Sequence, residues 1–511
     1  MASMALRLVE ENPDFVLTQF QELRGFVRAQ ARIQPGLHTV EEGIEVRGRE
    51  LCRLLLQEFV RLCGDGDVGL AIEVATVTPI RMEDRDGIVT DVGTLTASGV
   101  LLTHRRPRER KYLSVFGPIE IERLGYSQRG QSSVLPLDER LELPDRVYSY
   151  PIQQKLSTAV ARGPFEEATQ TVQEATGQQV ATANAPGVVI DVAADFDEFY
   201  ESRPVRPPEE APPIQVAVAD GKGVPMRERV EEAARHDFPE GEQRRGTKQQ
   251  ATVAAVYNIE PHMRTIDDIV KECSRAPLKV VPPRPRPQDK RVWASLQRTK
   301  EEVFASVAAE MLRRDPGHLK TWVCITDGEK ALRRQARKAL AALGPFILIL
   351  DLFHVLEYLW AAANAFHGKN TDAAETWCTA QLRRLLAGEV SGVARGMKQS
   401  ATKRHIRGSR RRDIDRTAAY FLANKDSMKY DEYIAAGLPI GSGVGEGTVR
   451  NLVKDRLERT GMHWTEDVAE AVLKVRALEL SGDTQDYWPF HIQCEQARLT
   501  NGRTWSPAQL A

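Results

Sequence analysis

Four acidic residues stand out by what surrounds them. VAVADG carries Asp220 and CITDG carries Asp327, each closing an apolar run before a glycine; FILILD closes on Asp351; Glu446 lies in the glycine-rich GSGVGEGTVRNLVKDRLERTGMHW. A strand that is apolar throughout is buried in the middle of a sheet. Its last residue emerges at the sheet edge, where open α/β sheets hold their ligands. Asp-Gly also marks ordinary turns, and Asp caps helices, so neither pair decides anything alone. Two such strand ends in one mixed region, followed by Glu446, point to a shared site. Carboxylates on separate elements suit divalent ions such as Mg²⁺, which takes hard oxygen ligands and keeps several waters. Two ions about 3.5–4 Å apart would activate an attacking oxygen and stabilise the leaving one in phosphoryl transfer. No histidine or cysteine cage is needed for this chemistry.

The elements that must position these acids change in character along the chain. FVLTQFQELRGFVRAQARI and VEEGIEVRGRELCRLLLQEFVRLC repeat apolar residues at three- and four-residue intervals, the helical period. From Val89 to Ile121 the alternation of Val, Thr, Leu and Gly predicts short antiparallel strands. Helical stretches return near Tyr150–Arg162 and Pro164–Thr176, separated by Gly163-Pro164, and fit a helix-turn-helix. Ser202–Pro213 is proline-rich, charged and aperiodic, as a linker is; Val280–Pro287 reads as a second such stretch, a surface loop. Beyond the linker, IQVAVADGKG and QQATVAAVYNIE are expected as strands, with HMRTIDDIVKEC as a third. VWASLQRTKEEVFASVAAEMLRR is expected as a helix, TWVCITDGEK and PFILILDLFH as strands with the basic helix KALRRQARKALAAL between them, Val355 to Ala436 as wholly helical, and a last helix from about Gly445.

Composition narrows the classes. The 511 residues are 42% hydrophobic and 28% charged, with 70 Lys+Arg against 71 Asp+Glu, so the total charge of −1 neither favours nor excludes nucleic acid. Basic residues come instead in runs, at His104–Lys111, Arg284–Arg291 and Lys403–Arg412. Six scattered cysteines form no C-x-x-C pair, which argues against zinc knuckles and disulfides and for reduced, mostly buried thiols. MASMALRLVEENPDF has no basic stretch leading into an apolar one, and Leu343–Leu350 is too short to span a bilayer. A cytoplasmic protein with no membrane segment is expected.

PIGSGVGEGTVRNLVKDRLERTGMHW, continuing through VAEAVLKVRALELSGDTQDYW, resembles the C-terminal block of ISKra-type bacterial insertion-sequence transposases, within the wider Mutator-like DDE group. VAVADGKG, ITDGEKAL and LDLFHVLEYLW follow the same order upstream, and FGPIEIERLGY, LPLDERLELP and GPFEEATQTVQEATG extend the likeness over most of Leu113–Trp488. The resemblance implies an α/β ribonuclease-H-like catalytic core with an all-helical insertion, behind a mixed helical and small β N-terminal region. It implies Asp220, Asp327 and Glu446 as catalytic, metal-holding acids for two Mg²⁺ (or Mn²⁺). Asp351 and His354 match a D-x-x-H element in a supporting role, with Asp351 an alternative second acid. Two departures are visible: the cysteine pairs many relatives carry are missing from SVFGPIEIERLGYSQRGQSS, and Gly445 replaces an expected β-branched residue.

The organisation this implies is residues 1–87 helical, 88–135 a small antiparallel region, 136–201 a helical region and candidate helix-turn-helix DNA reader, 202–213 linker, 214–354 with 437–488 the core, 355–436 the insertion, and 489–511 a tail. Arg450, Lys454, Arg456 and Arg459 share faces of the helix after Glu446, and Lys403, Arg404, Arg407 and Arg410–Arg412 form a basic stretch. Both sets suit phosphate contacts; Trp464 suits a stacked base, with core packing the commoner role of a single Trp. The implied activity is cleavage of DNA at terminal inverted repeats and joining to target DNA, by a homo-oligomer of at least two subunits. Asp220 would be shared between the two ions and Asp327 and Glu446 would hold one each. Two rivals stay open: a metal-dependent DNA nuclease on the same core without strand transfer, and a domesticated, non-catalytic DNA-binding protein.

Overall fold

The structure, a computed structural model, describes residues 15–83, 89–96, 99–227, 248–274, 283–441, 443–459 and 461–508. Most of the N-terminal stretch inspected for an export signal (residues 1–14) and the start of the 280–287 loop lie outside these. The chain forms two compact units, residues 1–199 with 484–511, and residues 200–483.

In the first unit, helices Phe15–Ile33 and Leu37–Leu62 precede the strands β1 (Ile72–Glu83), β2 (Val89–Thr96), β3 (Val100–Leu102), β4 (His104–Ser114) and β5 (Gly117–Ser127). β4 and β5 form an antiparallel ribbon in register from His104↔Ser127 to Ser114↔Gly117. Helices Tyr150–Arg162, Phe165–Thr176 and Ala185–Val192 follow. The Ser149 hydroxyl caps the first of them by accepting from the Ile152 N–H at 3.3 Å. Gly177, at φ 72°, ends the second in the left-handed conformation that glycine adopts without steric cost. The expected tail is built in: helix Thr484–Thr500 leads to β11 (Arg503–Pro507), which pairs antiparallel with β1.

The second unit is a mixed five-stranded sheet with helices. β6 (Ile214–Pro225) is buried on both faces over residues 214–219, as its unbroken apolar run requires. β7 (Lys248–Ile259) and β8 (Gln288–Ser295) continue it as an antiparallel meander; β9 (Thr321–Thr326) then pairs parallel with β6, and β10 (Ile347–Leu350) parallel with β9. The order is β10-β9-β6-β7-β8. Helices Lys300–Arg314 and Lys330–Ala341 make the connections that parallel pairing needs.

Two expectations fail here for local reasons. HMRTIDDIVKEC holds a helix, Ile266–Glu272, because Thr265 and Asp268 form a reciprocal capping box. The third strand is instead β8, which takes up the VWAS expected to open a helix; the helix begins only at Lys300, behind a second capping box of Thr299 and Glu302. Leu352–His367, Asp372–Leu386, Val390–Lys403, Gly408–Asn424 and Tyr430–Ala435 are helices, and they share one core with the sheet: Val216, Val218, Val323, Ile325 and Ile349 pack with Val355, Leu359, Leu385, Met397 and Phe421. Helix Glu466–Ser481 covers β8: the Val292 N–H donates to the Ser481 hydroxyl at 3.0 Å and the Leu296 N–H to the Glu470 carboxylate at 2.8 Å, which closes an otherwise open strand edge. The linker lies in this unit too, its carbonyls at Pro208, Ala211 and Pro212 accepting from the Lys320 ammonium at 2.6–2.9 Å. Of the cysteines, only Cys324 and Cys378 are buried; the other four are half-buried, and all six are free.

At the end of the sheet away from Asp220, Glu310 is 2% exposed and bonded by three guanidiniums, Arg291 at 2.6 Å, Arg313 at 2.8 Å and Arg314 at 2.6 Å. Burial pushes its carboxyl up, but the three cations outweigh burial and hold it at about 2, below its ordinary 4.5. Glu310→Gln should cost about 3–5 kcal/mol, the penalty for stranding buried charges. Because the folded value is depressed, this stabilisation is present above about 4.5 and is lost as pH falls through about 2. Thermal melts should therefore show the gap between wild type and variant widest near neutrality and closing in acid; a gap independent of pH would contradict this account.

Candidate active site

The parallel register brings the aspartates together. Ala219 pairs with Thr326 in the last rung between β6 and β9, and Leu350 with Thr326 between β10 and β9. Asp220, Asp327 and Asp351 thus follow the last parallel rungs of three adjacent strands, which lie roughly 4.8 Å apart. The Asp351 N–H donates to the Thr326 carbonyl at 2.9 Å. The two Asp-Gly pairs differ. At 327–328 the chain turns: Gly328 has φ 86°, and a Cβ there would meet Leu350 and the Tyr420 hydroxyl, each at 2.7 Å. At 220–221 there is no turn, because β6 runs on to Pro225 against β7, with Asp220 opposite Val253.

Each aspartate is held by a local N–H. Gly221 donates to Asp220 at 2.6 Å, Glu329 to Asp327 at 2.8 Å, and Phe353 to Asp351 at 2.9 Å. Asp351, 2% exposed, caps helix Leu352–His367 and places His354 on its first turn. His354 Nδ1 lies 3.5 Å from Glu357. Glu446 sits exposed on the short helix Gly443–Thr448, which continues through a π-helical stretch, Val449–Lys454, into Asp455–Leu457. Glu446 lies within electrostatic range of these aspartates, its carboxyl being raised in part by Asp351 and Asp220.

Burial governs the electrostatics of the three acids whose carboxyls are shifted. Burial raises the Asp220 carboxyl, the Gly221 N–H opposes it, and Asp327 and Asp351 raise it further. Burial likewise raises Asp327 and Glu446; for Glu446 the neighbouring Asp351, Glu357 and Asp220 add to it. His354 pulls all three back down.

Residues that sequence reasoning did not single out hold the strand ends in place. The Tyr420 hydroxyl donates to the Asp327 carbonyl at 2.6 Å and the Tyr430 hydroxyl to the Leu350 carbonyl at 2.8 Å, so the helical block pins the backbone beside two of the acids. Tyr420 stacks on Tyr358 at 3.9 Å between centroids. No spacing marks these tyrosines, because they act across about 80–90 residues of chain through hydroxyl groups that any buried tyrosine must satisfy.

The donor set is all carboxylate oxygen with one imidazole, which fits Mg²⁺ or Mn²⁺. Among the described residues, the group of three possible ligands whose atoms lie within 4.8 Å of one another is elsewhere, Asp195, Glu198 and Cys494. The strand-end acids are therefore set wider than the cage of a single ion. Asp195 is already engaged by His491 at 2.7 Å and by Arg498, as part of an ion-pair network.

Several expected DNA contacts lie at the surface. Arg450, Lys454, Arg459, Lys403, Arg404 and Arg407 are exposed or half-buried, with Arg450 3.6 Å from Asp455 and the Arg404 guanidinium 5.5 Å from the Phe366 ring. Arg456 and Trp464 are corrections. Arg456 is 0% exposed, its guanidinium 4.9 Å from the Trp464 ring; Trp464 is 5% exposed and its indole N–H donates to the Leu457 carbonyl at 3.0 Å. The cause is the π-helical stretch, whose wider turn rotates the downstream residues by about 100° per extra residue, so an α-helical projection misplaces Arg456. Arg410 caps helix Leu352–His367 by donating to the Ala365 carbonyl at 2.5 Å.

No protein-family model matches the chain, and no curated protein matches it. Among solved structures it is similar to the Drosophila P element transposase strand transfer complex, at 10% identity over 65% of this chain and 79% of that one, with a TM-score of 0.24. So loose an overlap leaves the site to be argued from its own residues.

A cation that bridges these acids should stabilise the fold. Because Asp220 is raised above its ordinary 3.8, its contribution to stability is full below that value and is lost as pH rises through the folded value. At neutral pH its charge is a cost, so Asp220→Asn should raise the melting temperature by a few degrees in EDTA, with the gap closing in acid. Millimolar Mg²⁺ should raise the melting temperature of wild type and leave that of Asp220→Asn nearly unmoved; equal shifts in both would mean that the ion binds elsewhere.

Proposed function

We propose that the chain is a DDE transposase of the ISKra type, cutting DNA at insertion-sequence ends and joining it to target DNA, on a ribonuclease-H-like core. The observation that carries this reading is the placement of Asp220, Asp327 and Asp351 at one end of one sheet with Glu446 in electrostatic reach, the carboxyls of Asp220, Asp327 and Glu446 being raised and a single histidine lying among them. The strand order, an antiparallel meander joined to two parallel strands, fits the proposed core. The order of sequence blocks that resembles ISKra-type enzymes supplies the specific family.

Asp220, Asp327 and Glu446 would hold the metal, with Asp220 central because it adjoins Asp327 in register and also senses Glu446. When bound, the metal supplies Lewis acidity and charge neutralisation at the reacting phosphate. The chain's own work is positional. The N–H groups of Gly221, Glu329 and Phe353 fix one oxygen of each aspartate and aim the other. Asp351 remains the alternative second acid, and its cap on the next helix also sets His354 near the other three carboxyls, where it offsets their mutual repulsion. Water would attack the phosphodiester at the insertion-sequence end and release a 3′-hydroxyl, and that hydroxyl would then attack a phosphodiester of the target DNA and displace the target's own 3′-oxygen, with no covalent link to the protein. Paired ends call for two copies of the site, hence a dimer or larger assembly on DNA. The exposed Arg450, Lys454 and Arg459, and the basic stretch near Lys403, are the proposed backbone contacts, and helices 150–192 a proposed DNA-reading region.

With a duplex carrying the inverted repeats that flank its coding region, the protein should nick and then join strands only with Mg²⁺ or Mn²⁺. Asp220→Asn, Asp327→Asn and Glu446→Gln should each lower the rate by about 10³-fold or more, as removal of a directly acting group does, while remaining folded by circular dichroism. Nicking without joining of pre-cleaved ends would favour a nuclease; binding without nicking would favour a domesticated DNA-binding protein.

A further inference from the structure

The helix bearing Glu446 has a bare side. Gly443 and Gly447, four residues apart, lie on one face, and a Cβ added at either would meet nothing within 4 Å. That face borders a groove of about 380 Å³ whose lining includes Arg286, Lys290, Thr448 and Asn451 and no acidic residue. Arg286 and Lys290 come from the basic run Arg284–Arg291, whose cations the proposed catalytic chemistry leaves unused. At Pro287, Gly443 and Val444 the groove meets a second cavity, of about 430 Å³, which reaches Leu352 and Phe353 beside Asp351 and carries Arg264 and Arg284, both paired with Glu272. Glu446 stands three residues from Gly443, on the adjoining face of the same turn.

We propose that this groove holds the phosphodiester backbone of the DNA strand being cut, with Arg286 and Lys290 as its phosphate contacts and the two glycines as the clearance that lets the backbone approach the helix. The inference rests on the transposase reading and names the path by which its substrate reaches the acids. Two cations facing an acid-free wall attract a polyanion, and a helix face without side chains admits a backbone more closely than any other residue would. Contacts of this kind carry no sequence information, which suits a site where chemistry occurs and readout happens elsewhere.

Binding of a fluorescent duplex of arbitrary sequence, measured in EDTA against salt, reads the groove without the acids. Arg286→Gln with Lys290→Gln should lower the slope of log K against log salt by about 1.8, that is, about 0.9 for each phosphate no longer neutralised. Gly447→Leu points a side chain into open space, so its melting temperature should hold while affinity falls about tenfold or more and Mg²⁺-dependent nicking falls with it. An unchanged salt slope, together with wild-type binding and nicking by Gly447→Leu, overturns the groove and leaves the transposase reading standing. Failure of the wild type to nick with any divalent ion sinks that reading instead, and the slope in EDTA still decides whether the groove holds DNA.

Discussion

Like charges held close together are the constraint around which the second unit is built. Three aspartates follow the last parallel rungs of β6, β9 and β10, and Glu446 reaches the same cluster from a helix far along the chain. Burial raises the carboxyls of Asp220, Asp327 and Glu446, and repulsion from neighbouring acids adds to it, from Asp327 and Asp351 on Asp220, from Glu329 on Asp327, and from Asp351, Glu357 and Asp220 on Glu446, so at neutral pH each of these charges works against the fold. Something has to keep the strand ends in place while the side chains repel. Backbone hydrogen bonds do this: the sheet register fixes the spacing of the chains, Asp351 is tied to Thr326, and Tyr420 and Tyr430 fasten the neighbouring carbonyls to the helical block.

The helical block is therefore more than a filler between Asp351 and Glu446. It shares its apolar core with the sheet, and it delivers the chain back to the sheet so that the Ile440 carbonyl accepts from the Leu352 N–H at 3.0 Å. After Glu446 the chain returns to β6 a second time: Trp464 bridges to Met226, and Glu458 pairs with Lys222 at 3.0 Å and Lys248 at 3.3 Å. The π-helical stretch between these anchors absorbs the mismatch between a helix that must present Glu446 at one end and bury Leu457 and Trp464 at the other. Such stretches cost hydrogen-bond geometry and persist where position matters more than regularity.

Much of this is legible in the sequence, and the reasons for the rest are physical. Buried strands announce themselves by unbroken apolar runs, so β6, β7, β9 and β10 can be read directly, with the acids that close the apolar runs of β6, β9 and β10. β8 cannot, because VWAS runs straight into a strongly helical stretch and only the capping box at Thr299 separates them. The segment at 266–272 resembles a strand until its own capping box, Thr265 with Asp268, is weighed. Asp220-Gly221 has the composition of a turn, but pairing with β7 carries the strand past it. Arg456 is misplaced because an α-helical projection does not anticipate a π-helical stretch, and Trp464 takes the core-packing role open to any single Trp. Tyr420 and Tyr430 are invisible for a different reason: a contact made across the fold leaves no local pattern.

The chain treats buried carboxylates in two opposite ways, and the contrast bears on what the site is for. Glu310 lies at the other end of the sheet with three guanidiniums, and they hold it well below its ordinary range despite burial. The fold is thus capable of neutralising a buried acid when structure alone is at stake. At the strand ends, three raised carboxyls share one histidine, with Lys300 easing Asp327. A purely structural cluster would gain stability from an arginine in place of any of these acids, or from a neutral residue. Carboxyls raised at the ends of separate elements cost the protein stability by themselves, and a cation that joined them would offset that cost, which is why perturbed acids in such a cluster mark a functional site more strongly than their number does. The groove at Arg286 and Lys290 carries the opposite charge beside it, within one turn of the helix that holds Glu446.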